Sequence, residues 1–584
     1  SINNVLDQTV LQFSNNMTYT KANHTYTVGF SFEQFEFDNS FNLGVYGGTF
    51  GYNLDAGPDR NFASVQEFLD NAQPGGMIDG LIQGANGTNQ ALNSSDGWAL
   101  AETNVGQLAF YLQDEWDVND KFKLTYGVRF DKPLFFDTAD RAQDVINGTT
   151  DYFPEIPYVN PNTGQIQQLS NTQMPSSDWL VSPRVGFNYD VNGDSTFQLR
   201  GGSGLFTGRF PFVWLGNQVG NPNFWFQQNV DPDYKFPQVW RTNLGIDHEY
   251  DNGLIVTADL SYTKDFNGAH VQNWGLTPPS GTLQGVDSRP IYTAADHVVG
   301  AFGSQANAYV FTNSDKGRIW NASLKAQKTF DNGLYAMLAY SYLDSKEVNS
   351  IEAEITGDAF DFNPIVGDAN ADELSYSKYG DTHRIIGVLS KNWTYGASDQ
   401  WSTSLSSFFE VSQGGRFSYT YAGNINADGS GQNNDLLYVP TSEEIQQMDF
   451  PGAAGQAAAY DAYIAQDDYL SGRRGDYAER YGAVSPWTTR VDVKFLQDYK
   501  IKVSENKTNT IQFSIDVLNI GNLISSEWGL VQQPNNVSPI GVSFKDADPG
   551  VDYVPDYSQA PDYSFNPNQT ETFGYDSSLA SRWQ

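Results

Sequence analysis

Seven times along the chain, two stretches of alternating polar and apolar residues are joined by a turn of a few residues. Loops of roughly 30 to 75 residues separate these pairs. Alternation with period two puts successive side chains on opposite faces of a strand. Residues 121–131 show it best. Phe122, Leu124, Tyr126, Val128 and Phe130 share one face, while Lys123, Thr125, Arg129 and Asp131 share the other. Upstream, Leu108, Phe110, Leu112 and Trp116 oppose Gln107, Gln113 and Glu115, and Val118-Asn119-Asp120-Lys121 supplies the turn.

The pattern recurs after turn sequences at Ala22-Asn23, Asn192-Gly193-Asp194, Asp251-Asn252-Gly253 and Asp331-Asn332-Gly333. Asn-Gly and its relatives adopt the positive φ angles that tight hairpins need. The predicted strands are 9–20, 25–38, 105–117, 121–134, 179–190, 195–207, 237–251, 253–266, 316–330, 333–345, 381–395, 400–413, 487–503 and 508–520. Many exceed the ~9–11 residues that cross hydrocarbon, so they should project beyond it. One face is apolar and almost free of charge, and short turns alternate with long loops. Together these predict an all-β, antiparallel transmembrane barrel in a bacterial outer membrane, with long extracellular loops. A soluble all-β array such as a propeller is the alternative, and it does not explain the lopsided connections.

Composition fits a barrel. Mean hydropathy is −0.48, and no apolar run approaches the ~18–20 residues of a spanning helix. The 33 Tyr, 38 Phe and 13 Trp can form girdles at both membrane interfaces. Cys is absent, which suits passage through an oxidising periplasm. A net charge of −36 argues against nucleic acid as a partner. It suits solvated surface loops, or attraction of cations and basic substrates.

Tyr111-Leu112-Gln113-Asp114-Glu115-Trp116, followed by Leu124-Thr125-Tyr126-Gly127-Val128-Arg129-Phe130-Asp131, resembles the hairpin signature of TonB-dependent receptors. Ser182-Pro183-Arg184-Val185-Gly186-Phe187 and Leu199-Arg200-Gly201-Gly202-Ser203-Gly204-Leu205-Phe206-Thr207-Gly208-Arg209 are similar to the next hairpin of the Oar-like, SusC-related branch found in Bacteroidetes. Asp516-Val517-Leu518-Asn519-Ile520-Gly521-Asn522 is similar to that branch's penultimate strand. The resemblance implies a 22-stranded barrel, an N-terminal plug and import driven by TonB. Two departures follow. No plug and no TonB-box-like segment precedes Ser1, and Ser581-Arg582-Trp583-Gln584 reads as the start of a last strand cut short. The expectation is therefore a partial barrel over 1–584, with about fifteen strands, its plug and first strands lying outside this chain.

The sharpest local motif is the loop Asn424-Ile-Asn426-Ala-Asp428-Gly429-Ser430-Gly-Gln432-Asn-Asn-Asp435. Oxygen side chains fall at positions 1, 3 and 5, glycine at 6 and a carboxylate at 12, as in an EF-hand loop. Asn424, Asn426, Asp428, Ser430, Gln432 and Asp435 are thus candidate calcium ligands. A solvated Asn/Gly turn explains the same letters. Downstream, Thr441 and Glu444 spell a capping box, and an alanine-rich helix is predicted over about 453–470, stopped at Gly472. A second short helix is predicted at 64–71, with Ser64 and Glu67 as its capping box. The acidic residues of 344–373 read as a solvated loop face.

Arg473, Arg474 and Arg480 stand out in an acidic chain. Pairing with Asp467, Asp468 and Glu479 is expected, with contact to an anionic ligand or lipopolysaccharide as the alternative. On the polar, lumen-facing side the candidates are Gln113, Glu115, Arg129, Asp131, Arg200, Asp259, Asn321, Lys325, Gln327, Arg490, Asp492 and Asp516. Their mixed signs predict ion-pair ladders that stiffen the wall and meet a plug, or that line a substrate path. Enzyme motifs are lacking: the five His are scattered, with no HExxH, GxSxG, Walker A or GxGxxG.

The function expected is uptake of a bulky nutrient, such as a peptide or glycan, with TonB and a plug as partners. The alternative is a docking barrel that holds a surface lipoprotein or secretion partner.

Overall fold

The computed structural model describes residues 4–41, 66, 69, 100–149, 152–504, 507–546, 555–576, 578 and 582–583. Among these residues, fourteen long strands form one antiparallel sheet in strict sequence order. They are β1 (Asn4–Lys21), β2 (His24–Phe41), β3 (Leu100–Asn119), β4 (Phe122–Leu134), β5 (Leu180–Asp190), β6 (Phe197–Thr207) and β7 (Gln238–Glu249). Next come β8 (Leu254–Asp265), β9 (Arg318–Thr329), β10 (Leu334–Glu347), β11 (His383–Tyr395), β12 (Trp401–Ser412), β13 (Thr488–Ser504) and β14 (Lys507–Val517). Each matches a strand predicted from the period-two pattern, most to within a few residues at either end. Among the described residues, β1 and β14 pair only on their inner sides, so the path runs from one edge to the other.

Turn chemistry fixes the register. Ala22, Gly193, Gly253 and Gly333 have φ of 52°, 84°, 76° and 81°, the left-handed geometry of tight hairpins. Tyr19 then faces Tyr26, Leu112 faces Val128, and Leu324 faces Tyr340. A slip of one residue would send every apolar side chain to the wet face.

The apolar face is uncovered. Leu112, Leu244, Leu260, Leu324, Leu338, Leu389, Phe513 and Ile515 are all exposed. Rings cap this band at both ends. Trp179, Trp240, Trp320 and Tyr342 lie toward the long loops, and Trp393, Tyr395 and Trp401 toward the short turns. An uncovered apolar belt between two aromatic girdles is what a barrel wall presents to lipid.

The packed cores lie in the loops. One joins Phe210, Tyr234, Val271, Phe311 and Phe360, a second joins Tyr419, Ile425, Leu437, Tyr460 and Tyr563, and a third surrounds Trp274 and Val310. Long connections thus fold into a crown with an interior of its own.

Three expectations are corrected. The fifteenth member of the sheet is the two-residue strand Ser375–Tyr376, which pairs with β10, not a segment at 581–584. Arg582 and Trp583 are non-strand, and the Trp583 amide donates to Asn522 Oδ1 at 3.4 Å (Ser581 and Gln584 lie outside the described residues). The alanine-rich helix divides at Asp467 into Gln456–Gln466 and Asp468–Ser471, because that carboxylate caps the second piece through the Leu470 amide. The stretch 344–373 is no solvated face. Its helix Thr356–Asp361 packs Ala359 and Phe360 into the first loop core. The capping box at Thr441 and Glu444 forms as expected, whereas Ser64 and Glu67 lie outside the described residues.

Candidate functional site

The polar face carries a chain of ion pairs. Arg129 reaches Asp131 at 2.9 Å, and Gln107 Nε2 donates to the same carboxylate at 2.8 Å. Arg200 bridges Asp247 and Asp259 at 2.8 and 2.7 Å. Arg490 pairs with Asp492 at 2.9 Å, and Lys494 with Asp516 at 3.0 Å. Gln113 donates to Glu115 at 3.0 Å and accepts from Arg184 at 2.7 Å. Asn321 and Lys325 stand on the same face, opposite Ser261 and Thr257, outside these pairs.

Near the loop end of the wall, Glu33, Gln107, Arg129, Asp131, Thr207 and Arg209 line a cavity of about 160 Å³. Glu33 is nine-tenths buried, pairs with Arg209 and accepts from Gln12 at 2.8 Å. Glu33, Arg209, Asp247 and Lys494 join this face without having been among the predicted residues. The first three show themselves by strand parity or by position just past a strand, and Lys494 by standing two residues from Asp492.

A carboxylate also lies on the lipid side. Asp114 shares a face with Phe110, Leu112 and Trp116 but is only 5% exposed. It accepts from Tyr126 Oη at 2.7 Å and lies 2.8 Å from His24 Nδ1, and the His24 ring stacks on Trp116 at 5.3 Å. Both contacts go to Oδ2, while Oδ1 is buried with no hydrogen-bond partner among the described residues.

The crown is pinned by Arg289, whose side chain is fully buried. It pairs with Asp287 at 2.8 Å and Asp435 at 3.2 Å, and donates to the carbonyls of Val366 and Leu436. Tyr421 and Tyr477 cover it at 5.1 and 5.3 Å. Asp435, expected as the twelfth ligand of a calcium loop, is therefore Arg289's partner. Burial outweighs that attraction and pushes its carboxyl up to about 7.

The loop itself closes around Asp428, which is 3% exposed. Its Oδ1 accepts from the Ser430 amide at 2.8 Å and Asn424 Nδ2 at 3.1 Å. Its Oδ2 accepts from Asn426 Nδ2 at 3.3 Å and Asn434 Nδ2 at 3.4 Å. Gly429, with φ of 86°, allows the sharp turn. Gln432 is exposed and contributes only its amide, to Ser430 Oγ. Four of the six predicted ligands thus converge, while Gln432 and Asp435 do not join them.

The three arginines serve the crown. Arg473 pairs with Glu479, Arg474 with Asp461 at 2.7 Å, and Arg480, 2% exposed, donates to the carbonyls of Glu347 and Glu373. Of the expected partners only Glu479 is used; Asp467 is taken by Tyr419, Thr572 and the Leu470 amide. Burial removes Arg480 from contact with a ligand.

Residues 2–231 match the family described as outer membrane beta barrel domain. Residues 2–231 thus carry an outer membrane beta barrel domain, and the same antiparallel sheet continues beyond them in sequence order. Solved structures similar to the chain include the outer membrane transporter YddB from Escherichia coli (11% identity, TM-score 0.41, 88% of this chain and 50% of that one). The siderophore receptor PirA from Acinetobacter baumannii (11%, 0.39, 88% and 51%) and the FrpB iron transporter from Neisseria meningitidis (11%, 0.44, 89% and 52%) are also similar. The barrel chain spans about half the length of these structures. No curated protein matches it.

Proposed function

We propose that this barrel is the wall and crown of a TonB-dependent receptor that imports a bulky nutrient, of peptide or glycan size. The observation that carries the reading is the polar face studded with ion pairs beneath a crown with packed cores of its own. A simple pore needs a wet wall but no folded crown, whereas a receptor for large ligands needs a shaped external surface and a wall that grips a plug. The Glu33–Arg209 and Arg129–Asp131 pairs flank a cavity at the loop end of that wall, where a plug loop could dock. The resemblance at Tyr111–Trp116 and Leu124–Asp131 supports the same reading, as does the Oar-like, SusC-related likeness of 182–209. The test is uptake by cells with and without TonB. The reading predicts growth on one class of peptide or glycan that requires both this barrel and TonB, and is overturned by uptake that persists when TonB is removed.

A second reading has one observation in its favour. Phe302 is 92% exposed on a loop, in a left-handed conformation (φ 59°), backed edge-on by Phe153 at 5.8 Å. A strained, protruding ring suits a docking barrel that holds a surface lipoprotein. Copurification lost on Phe302→Ser, with uptake intact, would support it.

A further inference from the structure

Three cations stand side by side on the lipid face at the loop end of the wall. The register sets Lys264 of β8 opposite Arg318 of β9, and Arg318 opposite Lys346 of β10. They share strand parity with the exposed Leu260, Leu324 and Leu338. Rings continue the row on both sides. Trp240 is opposite Lys264, and Tyr376 is opposite Lys346, with its ring 4.4 Å from Nζ. One row inward, Tyr262 and Trp320 meet at 4.4 Å in the aromatic girdle. Neighbouring strands lie about 5 Å apart, so the three charges fall within roughly 10 Å of one another, at the height of the headgroups.

Like charges directly opposite one another weaken a sheet. Among the described residues, no carboxylate pairs with Lys264, Arg318 or Lys346. Lys264 Nζ donates to the Asp315 carbonyl at 2.9 Å. Asp344 stands one row inward, opposite Trp320, and Asp265 has the opposite parity to Lys264. Lys316, by contrast, is tied to Asp372 at 3.4 Å. Two other cations of the lipid side stand against apolar residues. Lys132 is opposite Leu108 and lies 5.8 Å from the Trp179 ring, and Lys328, at the short-turn end, is opposite Leu254 and Ala336. The row is thus a local concentration of positive charge in a chain of net charge −36. Its missing counter-charge must come from the leaflet around it.

We propose that Lys264, Arg318 and Lys346 bind the phosphate groups of a lipid in the outer leaflet. The long loops are extracellular, so the loop end of the wall meets that leaflet. Arg318 is exposed and, among the described residues, makes no side-chain hydrogen bond, so its forked donors are free for phosphate oxygens. The ammonium groups of Lys264 and Lys346 add charge on either side. Trp240 and Trp320, both exposed, offer apolar contact to the lipid just below its headgroup. Lipid contact thus falls to the wall and not to Arg473, Arg474 and Arg480, which the crown uses. The site is independent of whatever the barrel carries.

The test uses the full-length protein in detergent micelles, with binding read by native mass spectrometry. The probe is lipid A carrying both phosphates, compared with dephosphorylated lipid A and with inorganic phosphate. Wild type should retain the phosphorylated lipid far better than the dephosphorylated one, and its melting temperature should rise with that lipid but not with inorganic phosphate at equal concentration. Arg318→Gln should weaken lipid A binding about fivefold, the effect of one basic residue at an anionic membrane surface, and the triple variant Lys264→Gln, Arg318→Gln, Lys346→Gln about a hundredfold. Arg318→Lys should retain most of the affinity, and Lys132→Gln all of it. The variants relieve repulsion, so heat-modifiable gel mobility should show each of them folded. Equal retention of the two lipids by wild type, Arg318→Gln binding as wild type does, or a loss in Lys132→Gln equal to that in Arg318→Gln would overturn the proposal. Inorganic phosphate that stabilises as much as lipid A would overturn it in favour of a free-anion site.

Discussion

Leu324 sits mid-strand in β9, between Ala258 of β8 and Tyr340 of β10, and is 54% exposed. Along its own strand the lipid-side neighbours are Ala322 and Ala326, too small to offer a polar partner. Arginine there would stand near the bilayer midplane, where it costs about 2–4 kcal/mol in barrel walls. At ~1.4 kcal/mol per decade, that lowers the folded-to-unfolded ratio by roughly 30- to 1,000-fold. Ser323 is the internal control, one residue away on the polar face opposite Asp259. Ser323→Arg should cost under about 1 kcal/mol, because that face is wet and acidic. The assay is urea titration of folding into lipid vesicles, read by heat-modifiable gel mobility. Equal costs for the two variants, or a Leu324→Arg protein as stable as wild type, would refute the assignment of this face to lipid.

Other perturbations follow from the same structure. Arg289→Ala leaves Asp287 and Asp435 buried and unpaired, at a cost of about 3–5 kcal/mol to the crown; limited proteolysis should open 283–291 and 424–440 while the sheet stays protected. Asp114→Ala strips His24 and Tyr126 of their shared acceptor and should destabilise the barrel by about 1–3 kcal/mol, measured in the same vesicle assay. Asp361 and Asp435 both have folded pKa values raised to about 7. Their contribution to stability is therefore complete below the unfolded value near 4 and is lost as pH rises through 7. Hydrogen exchange over 424–435 should be slower at pH 5 than at pH 8, and Asp361→Asn should shrink that difference.

The sheet was legible because period-two alternation and Asn-Gly turns are local. Residues 122–130 carry their own instruction, and Gly253 or Gly333 sets the partner strand within a few residues. The crown was not legible, because its contacts join distant segments. Asp435 completes a loop pattern when read alone, yet Arg289, 146 residues upstream, claims its carboxylate. Arg480 looked free among nearby acids but is sunk against carbonyls of Glu347 and Glu373. Asp361 lay in a stretch whose acidity suggested solvent, and its approach to Ser430 depends on how two long loops pack. Wall pairs fell between these extremes. Parity placed Arg129, Asp131 and Arg200 on the wet face, but only the register showed which carboxylate each would meet.

The central claim is that lipid covers one face of the strands and water the other. The chain has no cysteine, so single cysteines can be introduced from Arg318 to Thr329 and spin-labelled without background. In lipid vesicles, labels at 320, 322, 324 and 326 should collide with oxygen and be shielded from a water-soluble nickel chelate. Labels at 321, 323, 325 and 327 should show the opposite. Accessibility to the chelate that fails to alternate, or is high at 322 and 324, would contradict the account.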